Sequence, residues 1–115
     1  MSKVSRKTVP HETWGGSCSA WRLLAGRDLA VAEEVMPPGT MEKRHVHRRA
    51  RQFFYVLSGT LTMEREDGES IDLGTGEGLE LSPGITHRAR NVSQESVRFL
   101  VISAPTTKGD REDLE

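Results

Sequence analysis

Glycine and proline cut this chain of 115 residues into runs too short for ordinary helices, and that punctuation limits its fold more than any other feature. The breaks fall at Pro37-Pro38-Gly39, Ser58-Gly59, Asp67-Gly68, Gly74 to Gly78 and Pro83-Gly84. The runs between them read as strands, expected at about 18–24, 29–36, 43–47, 52–57, 60–65, 69–73, 79–82, 86–92 and 97–103. Many short strands with closely spaced turns imply an all-β sandwich or barrel with little helix. The clearest hairpin joins TLTMER to ESIDL, where Asp67-Gly68 offers the positive φ angles of a two-residue turn.

The length suits one domain with one core that folds without disulfides or structural metal. That domain is expected over 1–103, preceded by an N-terminal arm. Residues 104–115, APTTKGDREDLE, read as a polar tail that starts packed and ends loose and flexible. Sixteen bases against 17 acids give a net charge of −1, so no global field draws the molecule onto nucleic acid or an anionic membrane. Cys18 stands alone, which excludes an intrachain disulfide and a thiolate zinc cluster and fits a reducing compartment. A small buried hydrophobe is its expected role. No apolar run reaches signal-peptide or membrane-spanning length, so the chain is expected to be soluble and cytoplasmic.

Between Gly39 and Gly59 the chain reads GTMEKRHVHRRARQFFYVLSG. Alternate residues of a strand share a face, so His45 and His47 lie on one side with Cβ atoms roughly 7 Å apart. That is close enough for two imidazoles to converge on one ion. His87 lies on another expected strand, beyond the Pro83-Gly84 turn, sharing a face with Ala89 and Asn91. His11 sits in the polar N-terminal arm and is expected to be structural or solvated.

These segments resemble the two motifs of the cupins. The first motif is a glycine, H-x-H, an acid and a closing glycine, and it is met by Gly39, His45, His47, Gln52 and Gly59, with glutamine in the acid's place. The second is met by Gly76, Gly84, His87 and Asn91, with Ser82 at the first proline position and Pro83 one place along. The resemblance implies a jelly-roll β-barrel, commonly homodimeric. It also implies a divalent transition metal held by His45, His47, Gln52 and His87. Imidazole-rich ligation does not separate iron, manganese, nickel, copper or zinc. Because glutamine is neutral, the ion would keep its full positive charge, favour anionic ligands and lack a carboxylate able to leave and act as base.

Phe54 and Val56 alternate in phase with Gln52 and, with Leu61 and Met63, are expected to form an apolar pocket with one polar end. Core packing is the competing role for each of the four. Lys43, Arg44, Arg48, Arg49 and Arg51, with Arg88 and Arg90, form a basic run that reads as a solvated face or a rim for a carboxylate or phosphate substrate rather than a nucleic-acid patch; Arg44, Arg88 and Arg90 are out of phase with the ligands and should point outward. Glu33 and Glu34 are adjacent, so they face opposite sides, which excludes a carboxylate pair but leaves one able to point inward as an acid or base; solvent exposure is the expected role. VRFLVIS is apolar on both faces, as a strand covered by a second copy would be. The resulting expectation is a metal-dependent enzyme on a small, anionic or oxygen-rich molecule, by dioxygenase, isomerase or lyase chemistry. The alternative is a noncatalytic module that senses a metal or small ligand.

Overall fold

A computed structural model describes all residues from 1 to 115. It contains eleven strands and no helix. They are β1 (His11–Trp14), β2 (Cys18–Ala25), β3 (Ala30–Met36), β4 (His45–Val46), β5 (Arg51–Ser58), β6 (Leu61–Arg65), β7 (Ser70–Leu73), β8 (Gly78–Leu81), β9 (His87–Arg90), β10 (Val97–Ala104) and β11 (Glu112–Asp113). Two antiparallel sheets result, ordered β1-β2-β3-β10-β5-β8 and β11-β4-β9-β6-β7, the all-β architecture expected from the punctuation and the jelly roll implied by the resemblance. With no helix present, none is long and apolar enough to cross a membrane.

Alternation along the central strands explains why the sheets close on each other. In β5 the side chains of Gln52, Phe54 and Val56 are buried, whereas Phe53 and Tyr55 point outward and stack with centroids 6.5 Å apart. In β10, Val97, Phe99, Val101 and Ser103 alternate inward in the same way. Phe54, Val56, Leu61, Met63, Phe99 and Met36 anchor the apolar core. Each such side chain contributes about 1.5–3 kcal/mol by leaving water. Cys18 is free and fully buried, as its small apolar character suggests.

Three features depart from the sequence reading. The β6–β7 hairpin forms, but its turn is not the two-residue type: no non-glycine residue has positive φ, and only Gly68 does, at 85°. Arg65 N–H donates to the Glu69 carbonyl at 2.8 Å, leaving a three-residue loop with glycine in the left-handed position. His11 is the first residue of an extra strand, β1, where it bonds Ser19 Oγ at 2.8 Å and stacks on Trp21. The C-terminal segment, expected to be loose, is placed across β4, with Glu112 opposite Val46 and Asp113 opposite His45.

The glycine closing the first motif has a steric reason. Gly59 has φ +88°, and a Cβ there would come within 2.6 Å of the Ser96 carbonyl oxygen. Only glycine lets β5 turn into β6 against the start of β10.

Candidate metal centre

β4 and β9 place His45 directly opposite His87, and the alternation beyond β4 returns His47 to the same side. The ring centroids lie 4.5 Å apart for His45 and His87, 5.0 Å for His45 and His47, and 6.0 Å for His47 and His87. One nitrogen from each comes within 4.8 Å of the other two. All three side chains are buried, with relative exposures of 2%, 6% and 2% for His45, His47 and His87.

Backbone carbonyls orient every ring. His45 Nδ1 donates to Lys43 O at 2.8 Å, His87 Nδ1 to Ile85 O at 2.8 Å, and His47 Nδ1 to Asp110 O at 2.7 Å. A carbonyl only accepts, so each Nδ1 carries the hydrogen and each Nε2 keeps its lone pair. Burial pushes the pKa of both His45 and His87 down to about 4, so the rings are neutral near pH 7. His87 Nε2 has no hydrogen-bond partner. Gln52 lines the same cavity as His45 and His47; its Nε2 donates to Ser103 Oγ at 3.3 Å, and its Oε1 is buried without a partner. Buried, unpaired acceptors are costly. A divalent metal would satisfy them, so these residues fit one.

The adjoining cavity measures about 1210 Å³. Of the four expected pocket residues, Phe54 lines its wall, and its ring meets His87 edge-on at a centroid distance of 6.3 Å. Val56, Leu61 and Met63 are placed in the core cluster, off that wall, packed among other buried apolar side chains.

Two contributors, Asp110 and Glu42, escaped the sequence reading, and a third, Glu34, was left open by it. Asp110 is buried beside β4, where its carboxylate accepts from the backbone N–H groups of Arg48, Arg49 and Ala50 at 2.8–3.2 Å. Burial alone would raise its pKa, but those donors hold it below the usual carboxylate range. Glu42 accepts from Ala89 N–H at 2.9 Å and lies 3.7 Å from Arg111, and burial pushes its pKa up. Glu34 also lines the cavity, whereas Glu33 faces outward to Arg6 and Arg98. Adjacency correctly put the two on opposite sides, but solvent exposure, the default for a strand glutamate, does not describe Glu34. Arg44, Arg88 and Arg90 all converge on Glu64 on the outer face, and Arg88 also reaches Glu115, whereas Lys43 lines the cavity. Asn91 is structural, donating to the Met36 and Glu95 carbonyls.

Residues 32–103 match the family model described as the cupin domain. The chain belongs to the cupin family. Among curated proteins, this cupin is 34% identical over 71 residues to the polyketide synthase CurC of Streptomyces cyaneus, covering 62% of this chain and 46% of that protein. It therefore spans about half the length of that relative. Among solved structures, the polyketide cyclase RemF of Streptomyces resistomycificus superposes with a TM-score of 0.81 at 22% identity, covering 92% of this chain and 80% of the other. A predicted oxalate decarboxylase of Thermotoga maritima also gives 0.81, at 18% identity, with 91% and 100% coverage. Both superpositions show the shared fold.

Proposed function

We propose that this cupin is a metal-dependent enzyme acting on a small, oxygen-rich molecule, with polyketones that enolise readily as the best-suited class. One observation carries the reading: three converging buried histidines and the unpaired Gln52 Oε1 adjoin a cavity, lined by His45, His47 and Gln52, that is large enough for a multi-ring ligand. A divalent transition metal held by His45, His47 and His87, with Gln52 as fourth donor, would supply Lewis-acid polarisation of a carbonyl oxygen. The four side chains are neutral, so none offsets the positive charge and enolate or carboxylate oxygens are favoured as ligands. Phe54 covers the edge of His87 and excludes water from that side. Likeness to a polyketide synthase and to the fold of a polyketide cyclase supports the substrate class.

The test is elemental analysis of protein purified without chelator, followed by turnover of a panel of poly-β-ketones and hydroxyacids. About one metal per chain and metal-dependent conversion of a polyketone are expected. Metal without turnover, together with ligand-linked stabilisation, would favour the sensing module, which the glutamine in place of an acid also suits. Substoichiometric metal would exclude the metal-dependent enzyme and the metal sensor, leaving only a module that senses a small ligand.

A further inference from the structure

Hydrogen-bond register shows how the cavity floor is laid out. Gln52 stands in one row with Ser103 and Ala30, Phe54 in the next with Val101 and Ala32, and Val56 in a third with Phe99 and Glu34. That third row continues through Ala20 to Glu12. Glu34 is thus four residues along and two strands across from Gln52, or about 16 Å over a flat sheet at 3.3 Å per residue and 4.8 Å per strand. Sheet curvature and the reach of the two side chains shorten that gap to one that a fused two- or three-ring molecule spans.

The sheet floor between the two ends is low and mainly apolar, with Arg22, opposite Ala32, as its charged member, and Glu42 and Arg111 also line the cavity. Ala20, Ala30 and Ala32 leave the floor of β2 and β3 without bulk, and Phe54, Phe99 and Val101 supply the neighbouring wall. At the far end, half-buried Glu34 borders the cavity with Glu42, Arg22, Arg111 and Glu12 as its charged neighbours, none of them hydrogen-bonded to its carboxyl. Trp14 lines the same end one row further along, and its indole Nε1 is a buried donor without a partner. Unpartnered polar groups at the end of an apolar cavity have the form of a recognition point for one ligand group.

We propose that Glu34 forms a second polar subsite that recognises a hydroxyl or carbonyl on the end of the ligand remote from the histidines. The ligand class is then an extended, largely apolar molecule with oxygen at both ends. The subsite deepens the enzyme reading given above and rests on it for the oxygen at the histidine end. Burial, with Glu42 next in weight and Glu12 adding to it, raises the Glu34 carboxyl to about 8 against the lowering pull of Arg22 and Arg111. It therefore carries a proton at neutral pH and both donates and accepts, without placing a bare charge in an apolar wall.

Chrysophanol and emodin make a matched pair of probes, because these anthraquinones differ only by one hydroxyl remote from the chelating edge. Their dissociation constants would be measured by fluorescence on zinc-loaded wild-type protein and on Glu34→Ala and Glu34→Gln, with zinc content assayed on each sample. The wild type should prefer emodin by about fivefold to tenfold, the value of one hydrogen bond to a buried group. Glu34→Ala should erase the preference while leaving chrysophanol affinity within about twofold, and Glu34→Gln should keep part of it. Equal affinity of the two probes for zinc-loaded wild type, failure of both to bind it, or a preference that survives Glu34→Ala would overturn the subsite. A sample that takes up no zinc would instead overturn the metal-dependent reading.

Discussion

The two ends of the cavity are built by opposite means. At the histidine end every ring is held by a carbonyl on its Nδ1, and His45 and His87 also by their strands, so the free nitrogens are aimed before anything binds. At the Glu34 end the carboxyl is positioned by its strand alone and makes no bond to the protein. A preorganised cluster suits a small ion with strict geometry, while a single free carboxyl suits a ligand whose shape varies. The histidine end should therefore be brittle to substitution and the Glu34 end tolerant.

Removing a ring should break the contrast most visibly. His87→Ala is expected to weaken metal binding by more than the ~10–100-fold that loss of a supporting group costs. Metal-to-protein ratios after gel filtration would check it, and full retention of metal would show that His87 is not a ligand.

Asp110→Ala attacks the support rather than the ligand. Losing a carboxylate that accepts from three backbone N–H groups should destabilise the fold by about 3 kcal/mol, read from urea midpoints. Metal affinity should fall about tenfold, because the carbonyl orienting His47 belongs to the same residue. The isosteric Asp110→Asn should restore part of both; unchanged metal affinity in Asp110→Ala would separate the cap from the centre.

The smallest effect is on pH dependence, and it has opposite signs at the two ends. In metal-free protein, His45 and His87 stay neutral down to about 4, against an ordinary value of 6.5. Between those limits the unfolded chain binds more protons, so stability is full above about pH 6.5 and falls as pH drops toward 4. Glu34 keeps its proton up to about 8, against an ordinary value of 4.5. Here the folded state binds the extra proton, so stability falls as pH rises from 4.5 to 8. Glu34→Gln should flatten the alkaline slope in urea titrations of metal-free protein and leave the acid slope in place. Loss of the acid slope in that variant would mean that the two ends are coupled.

The same contrast governs what could be read from the amino acids. His45, His47 and His87 were legible because strand alternation and tight glycine turns fix them locally, as the collision at Gly59 illustrates. The strand runs were legible for the same reason, each being bounded by its own turn residues. Glu34 was not, because on its strand it has the same local pattern as Glu33. Only the register against β10 and β2 shows that it shares a row with Phe99 and Ala20. Asp110 gave no signal either, since its partners at 48–50 lie about sixty residues away and are backbone groups, which carry no side-chain identity. Val56, Leu61 and Met63 had the right periodicity for an inward face, but periodicity does not separate a packed interior from a cavity wall.

The family match ends at residue 103, yet the hydrogen bond that sets the His47 ring comes from Asp110. A protein engineer trimming this chain to its matched segment would keep all four candidate ligands and lose the part that aims one of them. Conversely, grafting a different segment after β10 would retune the centre while leaving its motifs untouched, which makes this stretch a handle for changing metal preference without editing a single ligand.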